Sequence, residues 1–325
     1  MQGLRMSKCK ISVVVCVYNE EDNINPLIDQ IDKAMKDIDY EIIYVDDGST
    51  DSTLDKLKSN PHPRLRTVEL RKNYGQSSAL AAGIAAAEGA YIATLDGDLQ
   101  NDPSDIPRML DMAINDNWDV VAGVRAKRKD GMFLRKIPSK IANGMIRNLS
   151  GIHMTDYGCT LKVFESEIAK DMGLYGELHR FIPVLAHLEG AKITQTDVKH
   201  HARQFGESKY GINRTFKVMS DLMLMLFLKR YMQKPMHLFG NIGLIAFVIG
   251  LSINGYLLLL KIMGQDIWGK PLLFAGALFL IFGIQLITIG IVVEIQMRTY
   301  YESQNKTPYK IRKVHHNSDS PIAVD

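Results

Sequence analysis

Two stretches near the end of the chain, 238–260 and 271–293, each run for 23 residues without a charged side chain. At a rise of about 1.5 Å per residue, each would cross a hydrocarbon core of about 30 Å as a single helix. One such stretch also suits the buried helix of a soluble protein, but two in tandem predict a transmembrane hairpin. We therefore expect a water-facing domain up to residue 212 and a membrane anchor after it.

Basic residues lie mainly on the two outer sides of this predicted hairpin. Those before the first span and after the second are Arg214, Lys217, Lys229, Arg230, Lys234, Arg298, Lys306, Lys310, Arg312 and Lys313. The connecting loop has only Lys261 and Lys270, with Asp266 between them. By the positive-inside rule, both termini and the large domain face the cytoplasm, so we predict a multi-pass protein of the cell inner (plasma) membrane.

The predicted organisation has four parts. A cytosolic domain covers 1–212, and an amphipathic, interfacial helix follows at 213–235. The transmembrane hairpin covers 236–297, and a cytosolic basic tail with a disordered end covers 298–325.

The first 125 residues alternate apolar runs that suit strands with longer segments that suit helices. The strand candidates lie at 11–17, 41–45, 66–70, 90–95 and 118–124. The helix candidates lie at 21–37, 51–59, 76–88 and 104–116. Such alternation builds βαβ units, so we predict an α/β domain with a Rossmann-like, mostly parallel sheet and helices on both faces.

Polar side chains follow the end of every predicted strand. The exits are Tyr18-Asn19-Glu20, Asp46-Asp47-Gly48-Ser49, Arg71-Lys72-Asn73-Tyr74-Gly75, Asp96-Gly97-Asp98 and Arg125. In open α/β sheets, ligands bind at the carboxyl ends of the strands. Five polar exits in succession therefore predict a binding site along this edge. No G-x-G-x-x-G follows the first strand, so the dinucleotide fingerprint is missing.

The fourth exit carries the most specific chemistry. Asp96 and Asp98 directly follow the apolar run 90–95, which holds two carboxylates one residue apart at the mouth of the sheet. Mg²⁺ and Mn²⁺ choose oxygen ligands, commonly one or two carboxylates together with substrate phosphates. The pair therefore predicts a divalent metal site.

Charge and cysteine content exclude other classes of partner and compartment. A net charge of +3 is too small to indicate nucleic acid as a partner. The three cysteines, Cys9, Cys16 and Cys159, lack metal-ligand spacing and indicate reduced thiols in a cytosolic compartment.

Four of the strand exits form longer motifs when their neighbours are included. These are Val15-Cys16-Val17-Tyr18-Asn19-Glu20-Glu21, Val45-Asp46-Asp47-Gly48-Ser49-Thr50-Asp51, Arg71-Lys72-Asn73-Tyr74-Gly75 and Leu95-Asp96-Gly97-Asp98-Leu99-Gln100. Together they resemble the family 2 inverting glycosyltransferases of the GT-A fold. The most similar branch transfers sugar to a polyprenyl phosphate and includes dolichol-phosphate mannose synthases and bacterial undecaprenyl-phosphate glucosyltransferases. The resemblance covers 11–210 and extends into the hairpin.

For the sugar donor, the resemblance implies a nucleotide-binding set. The base and ribose would contact Val17, Asn19, Glu20 and Asp47. Asp98 and Gln100 would ligate Mg²⁺ or Mn²⁺, while Asp96 would bind the metal or the donor. The segment 203–210 resembles the R-x-x-G-x-S-K-Y loop of this branch, so Arg203 would lie over the donor phosphates.

For the acceptor, the resemblance implies a lipid-phosphate site formed by Arg125, Arg135 and Ser139. The segment Asp156-Tyr157-Gly158-Cys159 resembles the D-x-G-C motif of the branch, which contributes an active-site carboxylate. Asp156 would orient the acceptor or assist as a base. It completes a predicted catalytic set with Asp96 and Asp98.

The implied reaction is the inverting transfer of one sugar from a nucleotide-diphosphate sugar to undecaprenyl or dolichyl phosphate. Glucose from UDP-glucose is the first expectation, with GDP-mannose or another UDP-sugar as the alternative. A processive polysaccharide synthase is disfavoured because the Q-x-x-R-W signature is absent. An inactive nucleotide-sugar-binding scaffold is disfavoured because Asp96, Asp98 and Gln100 are all present. A homo-oligomer is left open.

Overall fold

The structure, a computed structural model, describes residues 9–125, 154–172, 178–188, 190–202 and 235–303. The chain divides into two compact units, Met1–Met223 and Leu224–Asp325. The predicted interfacial helix 213–235, except for its last residue, lies outside the described residues. So does the tail beyond 303, including its expected disordered end. The predicted four-part division of the chain therefore stays a prediction.

The first unit contains a seven-stranded sheet. Its strands are β1 (Cys9–Val17), β2 (Tyr40–Asp46), β3 (Leu65–Glu69), β4 (Gly89–Asp96), β5 (Val120–Arg125), β6 (Lys162–Glu165) and β7 (Ile193–Val198). The strand order is β3-β2-β1-β4-β6-β5-β7. Among the strands of the described residues, only β6 runs antiparallel to its neighbours, β4 and β5. The predicted α/β class, the mostly parallel sheet and all five predicted strands are therefore confirmed.

Helices connect the strands as the alternation predicts. They are α1 (Ile24–Ala34), α2 (Thr53–Ser59), α3 (Gln76–Ala86), α4 (Ile106–Asn115), α5 (Ser166–Asp171) and α6 (Ile182–Leu188), with 3₁₀ turns at Pro103–Asp105 and Leu178–Phe181. Helix α4 begins later than the pattern 104–116 predicts. The Asp102 side chain accepts a hydrogen bond from Ser104 N–H, and this bond closes a separate 3₁₀ turn before α4 begins.

The central strands are buried on both faces, which explains their continuous apolar sequences. In β1, Ile11, Val13, Val14 and Val15 are fully buried. At the sheet edge, β3 has only half-buried or exposed residues, and its sequence is correspondingly more polar.

The order of the strands determines where the polar exits meet. From β1 the chain moves outward through β2 and β3, then returns to the other side of β1 with β4. This reversal brings Cys16 of β1 into register with Asp96 of β4. A crevice at such a reversal is where ligands bind in open α/β sheets. The Asp96 exit therefore lies at the expected place.

The second unit has two long apolar helices, α7 (Pro235–Ile262) and α8 (Pro271–Ser303). Pro235–Ile262 and Pro271–Met297 are each long and apolar enough to cross a membrane. They pack against each other and contain the predicted spans 238–260 and 271–293. The fold is thus consistent with the predicted hairpin.

Several glycines lie where α7 and α8 approach each other most closely. A Cβ added to Gly250 of α7 would lie 2.7 Å from the backbone nitrogen of Leu280 in α8. A Cβ added to Gly283 would lie 2.6 Å from the backbone nitrogen of Phe247. Small residues that allow such close backbone approach are typical of membrane helix pairs, where van der Waals packing replaces the hydrophobic effect.

This packing predicts that the same substitution has different effects on stability at two glycines of α7. Gly250→Ala should lower the melting temperature of the detergent-solubilised protein, because the new methyl group meets backbone that cannot rotate away. Gly255→Ala is the matched control, since nothing lies within 4 Å of the added Cβ. Equal melting temperatures for the two variants, measured by differential scanning fluorimetry, would contradict the packing described here.

Candidate active site

The exit of β4 passes close to the end of β1. A Cβ added to Gly97 would lie 2.4 Å from Cγ1 of Val17 and 3.3 Å from the carbonyl oxygen of Cys16. The absence of a side chain at this position therefore lets β4 turn directly over β1. Asp96 and Asp98 flank this turn, and both are half-buried.

Both carboxylate oxygens of Asp96 accept a short hydrogen bond. Gln76 Nε2 donates to Oδ1 at 2.6 Å, and Thr160 Oγ1 donates to Oδ2 at 2.6 Å. Burial and the neighbouring charge of Asp98 raise the pKa of Asp96 to about 6, while the Thr160 bond and the charges of Lys162 and Arg125 oppose the rise. Asp96 is thus a carboxylate fixed by two hydrogen bonds, and its pKa depends on several neighbouring charges.

The residues at this exit fit a divalent ion. Asp96 and Asp98 lie one residue apart at the end of β4, and the charge of Asp98 raises the pKa of Asp96. Asp98 Oδ1 accepts the backbone N–H of Gln100 at 3.2 Å, which orders the loop. The described residues hold no group of three or more His, Cys, Asp or Glu side chains placed for a metal. Two carboxylates, supplemented by the donor's phosphates, water or the Gln100 amide, match the oxygen-rich, open coordination of Mg²⁺ or Mn²⁺.

The exits of β1 and β2 are joined to each other, which explains how the predicted nucleotide-binding residues come together. The backbone N–H of Asp47 donates to the Val17 carbonyl oxygen at 2.9 Å. The Asn19 side chain accepts the backbone N–H of Thr50 at 2.8 Å. Asn19 has a φ of 53°, in the left-handed region that asparagine tolerates better than most residues. Glu20, the fourth member of the set, follows directly and accepts a bond from Asn23.

Asp47 holds the next loop in place. Its Oδ1 accepts the backbone N–H of Tyr74 at 2.8 Å, and its Oδ2 accepts that of Gly75 at 2.9 Å. Burial raises the pKa of Asp47, while these two bonds oppose the rise. Gly48 has a φ of +71°, and an added Cβ would lie 2.5 Å from the Lys72 carbonyl carbon, so only glycine fits between the two loops.

Arg125 and Asp156 form a bidentate ion pair at the exit of β5. Arg125 Nε donates to Oδ2 of Asp156 at 2.6 Å, and Nη2 donates to Oδ1 at 2.9 Å. The two side chains are only 14% and 15% exposed. Burial alone would raise the pKa of Asp156, but the Arg125 bonds outweigh it and hold the pKa below its usual value. Gly158 leaves room for the guanidinium, since an added Cβ would lie 3.1 Å from Nη2.

Several polar residues of the site were not predicted from the sequence. Gln76 and Thr160 contact Asp96, and Asn101 Nδ2 donates to Thr160 Oγ1 at 3.0 Å. Lys162 is 1% exposed in the middle of the sheet and donates to the Cys159 carbonyl oxygen. Burial lowers the pKa of this amine. A lysine within the apolar run 161–164 was the available signal, because lysine is almost never fully buried without a partner.

Three predicted site residues, Arg135, Ser139 and Arg203, lie outside the described residues, so their roles stay predictions. The described members of the predicted set occupy one edge of the sheet. Val17 ends β1, Asn19 and Glu20 follow it, and Asp47 follows β2. Asp96 ends β4, Asp98 and Gln100 follow it, and Arg125 ends β5 beside Asp156.

Comparison with known proteins identifies the family. A family model described as Glycosyl transferase family 2 matches residues 12–173. The chain is 44% identical over 313 residues to dodecaprenyl-phosphate galacturonate synthase of Rhizobium johnstonii, covering 94% of this chain and 93% of that protein. The chain belongs to glycosyl transferase family 2. The resemblance to polyprenyl-phosphate glycosyltransferases is thereby confirmed, and the protein is an enzyme of that class.

Other relatives of this family 2 glycosyltransferase agree. The undecaprenyl-phosphate 4-deoxy-4-formamido-L-arabinose transferase of Photorhabdus laumondii is 36% identical over 312 residues, covering 94% of each chain. Among solved structures, glucosyl-3-phosphoglycerate synthase of Mycobacterium tuberculosis, crystallised with Mn²⁺, UDP and glucosyl-3-phosphoglycerate, matches with a TM-score of 0.52. That match has 17% identity and covers 68% of this chain and 80% of the other. It supports the GT-A-like fold.

The Arg125–Asp156 pair predicts a measurable loss of stability in this family 2 glycosyltransferase. Asp156→Asn removes the charge that compensates a mostly buried guanidinium, which should cost about 1.5–3 kcal/mol at neutral pH. Because the pKa of Asp156 is lowered, this contribution is present above the usual carboxyl pKa and is lost as the pH falls through the lowered value.

The measurement is the melting temperature in detergent at neutral pH. The control is Glu69→Gln, which breaks the exposed ion pair between Lys58 and Glu69 at 2.7 Å. Exposed pairs of this kind contribute about 0–1 kcal/mol. A melting temperature for Asp156→Asn no lower than that of Glu69→Gln would show that the Arg125 pair does not stabilise the fold.

Proposed function

We propose that this enzyme transfers a single sugar, with inversion, from a nucleotide-diphosphate sugar to a membrane polyprenyl phosphate, assisted by a divalent ion. The observation that carries the proposal is the pair of fixed, neighbouring carboxylates, Asp96 and Asp98, at the β1–β4 reversal, with the Arg125 cation on the same edge. The similarity to two polyprenyl-phosphate sugar transferases over 94% of the chain supports the acceptor class.

In the proposed reaction, an acceptor phosphate oxygen forms a bond to the anomeric carbon of the sugar. The bond from that carbon to the diphosphate breaks, and the nucleotide diphosphate leaves with the electron pair. A divalent ion, when bound, neutralises the negative charge that develops on the diphosphate. Asp96 and Asp98 would hold that ion from the protein side, with Gln100 as a further oxygen ligand.

The acceptor phosphate needs little help to become a nucleophile, because it is already ionised near neutral pH. The geometry favours an orienting role for Asp156 over a role as base. Both of its oxygens accept hydrogen bonds from Arg125, and its pKa is lowered, so it is a weak proton acceptor. Arg125 would attract the acceptor phosphate, with Arg135 and Ser139 as the further predicted contacts.

A polyprenyl acceptor would also explain why the enzyme has an apolar hairpin, since the acceptor's chain stays in the bilayer. Withdrawing its chain from the bilayer would cost about 0.8 kcal/mol per methylene group exposed to water. We propose that α7 and α8 anchor the enzyme in the plasma membrane with its catalytic domain and both termini in the cytoplasm, so that the site lies at the membrane surface. A homo-oligomer stays a prediction. Gln285, a polar residue in the middle of α8, is exposed on the hairpin and is a candidate for such a contact.

The sugar is the least determined part of the proposal. Glucose from UDP-glucose, the sequence-based expectation, finds no support in the relatives, whose names give galacturonate and 4-deoxy-4-formamido-L-arabinose. Because the galacturonate synthase is 44% identical over most of its length, we propose UDP-galacturonic acid as the first donor to test.

The test incubates the purified full-length protein with dodecaprenyl or undecaprenyl phosphate, Mg²⁺ or Mn²⁺ and a panel of nucleotide sugars. The panel holds UDP-galacturonic acid, UDP-4-deoxy-4-formamido-L-arabinose, UDP-glucose and GDP-mannose. We expect one lipid-linked monosaccharide product, read by mass spectrometry. Products carrying several sugars would indicate a processive synthase, and the absence of any product would argue against the proposed transfer.

Removal of the metal site should abolish most of the transfer. Asp98→Asn should lower kcat about 10²–10³-fold, the usual loss when a group that stabilises developing charge is removed. Excess EDTA should stop the wild-type enzyme, and added Mn²⁺ or Mg²⁺ should restore it. The control is Asp111→Asn, an exposed residue of α4 that should keep wild-type turnover. Undiminished transfer in EDTA would refute the metal-assisted mechanism.

A further inference from the structure

Asp96 is held from both sides by neutral side chains that come from distant parts of the chain. Gln76 lies at the first position of α3, and Thr160 lies two residues before β6. Each donates a 2.6 Å hydrogen bond to a different carboxylate oxygen of Asp96. The carboxylate is therefore fixed in position and in rotation about its own axis.

The direction of the Thr160 bond is set by a third residue. A hydroxyl group has one proton, and Thr160 Oγ1 accepts a bond from Asn101 Nδ2 at 3.0 Å. The Cys159 thiol lies 3.9 Å from Asn101 Oδ1, which supports this amide orientation. Asn101 is buried and cannot turn to water. The Thr160 proton is therefore directed to Asp96. The Thr160 carbonyl oxygen also accepts a bond from Thr94 Oγ1 at 2.6 Å, which fixes its backbone.

The Gln76 side of the arrangement is equally constrained. Asp47 accepts the backbone N–H groups of Tyr74 and Gly75, so it fixes the loop from which α3 begins. One residue after Gln76, the buried Ser77 is bonded to the buried His179 at 2.8 Å. Gln76 therefore lies between two fixed points: the loop bound by Asp47 precedes it, and Ser77, bound to His179, follows it.

We propose that Gln76 and Thr160 are positioning residues that aim the Asp96 carboxylate at the ion–diphosphate group of the donor. This inference rests on the proposed function and deepens it. Each Asp96 oxygen uses one of its lone pairs on a protein donor, so the remaining lone pairs face a fixed direction. A carboxylate held in this way needs no reorganisation when the donor arrives, which is the condition for effective electrostatic stabilisation.

The test removes each donor without changing the shape of the site. Thr160→Val replaces the hydroxyl with a methyl group, Thr160→Ser retains the hydroxyl, and Gln76→Leu removes the amide at similar size. The matched control is Thr67→Val, which removes the hydroxyl of a half-buried threonine on the edge strand β3. All variants are made in the full-length protein in detergent. The first readout is the affinity for Mn²⁺–UDP, measured by calorimetry.

The expected result is an affinity for Mn²⁺–UDP about 10-fold weaker in Thr160→Val and in Gln76→Leu, since hydrogen bonds to charged groups are the stronger class. Thr160→Ser and Thr67→Val should stay within about twofold of the wild type. The melting temperature of Thr160→Val should be below that of Thr67→Val, because the buried Asn101 Nδ2 loses its acceptor. Affinities are therefore compared at a temperature at which both variants are folded. Wild-type affinity in both Thr160→Val and Gln76→Leu would overturn the inference.

A double-mutant cycle separates positioning from general structure. In an Asp96→Asn background, Thr160→Val should produce no further loss of Mn²⁺–UDP affinity, because the residue through which it acts is already changed. An equal loss in both backgrounds would overturn the inference, since Thr160 would then act independently of Asp96.

The same experiment distinguishes this inference from the proposed function. If the wild type binds Mn²⁺–UDP but transfers none of the sugars in the panel, the proposed transfer fails and the affinities still decide the role of Thr160. If the wild type transfers a sugar and Thr160→Val and Gln76→Leu match it in affinity and turnover, only the inference fails. A wild type that does not bind Mn²⁺–UDP would overturn the inference as well.

Discussion

The parallel pairing of β1 with β4 is the constraint on which the rest of the site depends. It places Cys16 and Val17 beside the turn after β4, and only a residue without a side chain fits at Gly97. Because β2 lies on the other side of β1, the exits of three strands converge at one edge. The backbone bond from Asp47 to Val17 then joins two of these exits. The position of Asp96 thus follows from sheet topology, and its orientation follows from the side chains around it.

The segment that leads into the antiparallel strand β6 carries two residues that hold other side chains of the site. Strand β6 lies between β4 and β5, and the segment that leads into it carries Asp156 and Thr160. From this segment Asp156 binds Arg125 and Thr160 binds Asp96, so one short stretch fixes a cation and an anion of the site. Lys162, at the start of β6, adds a buried amine that donates to the Cys159 carbonyl oxygen. The segment that leads into this antiparallel strand therefore links the proposed donor side of the site to the proposed acceptor side.

The sequence predicted the parts of this molecule that depend on local pattern. The five strands before residue 126, the α/β class and the Asp96–Asp98 exit all follow from apolar runs that end in polar residues. Strand β6 was missed because it has only four residues and a lysine at its start. Thr160 was missed because its role depends on a contact across 64 positions, and nothing in its neighbouring residues indicates the partner. Asp47 was predicted as a nucleotide contact, but its sequence neighbours do not reveal that it holds the start of α3.

The distribution of carboxylates in the site matches the chemistry of a phosphate acceptor. An alcohol acceptor would require a free base with a pKa near neutrality. Asp156, a carboxylate of the predicted acceptor side, instead has a lowered pKa, and both of its oxygens accept hydrogen bonds from Arg125. The carboxylate with the raised pKa, Asp96, lies on the proposed donor side, where a bound cation would lower its pKa again. An acceptor that arrives already ionised needs a fixed cation more than a base. For such an acceptor, Asp156 would contribute most by holding the Arg125 guanidinium in place.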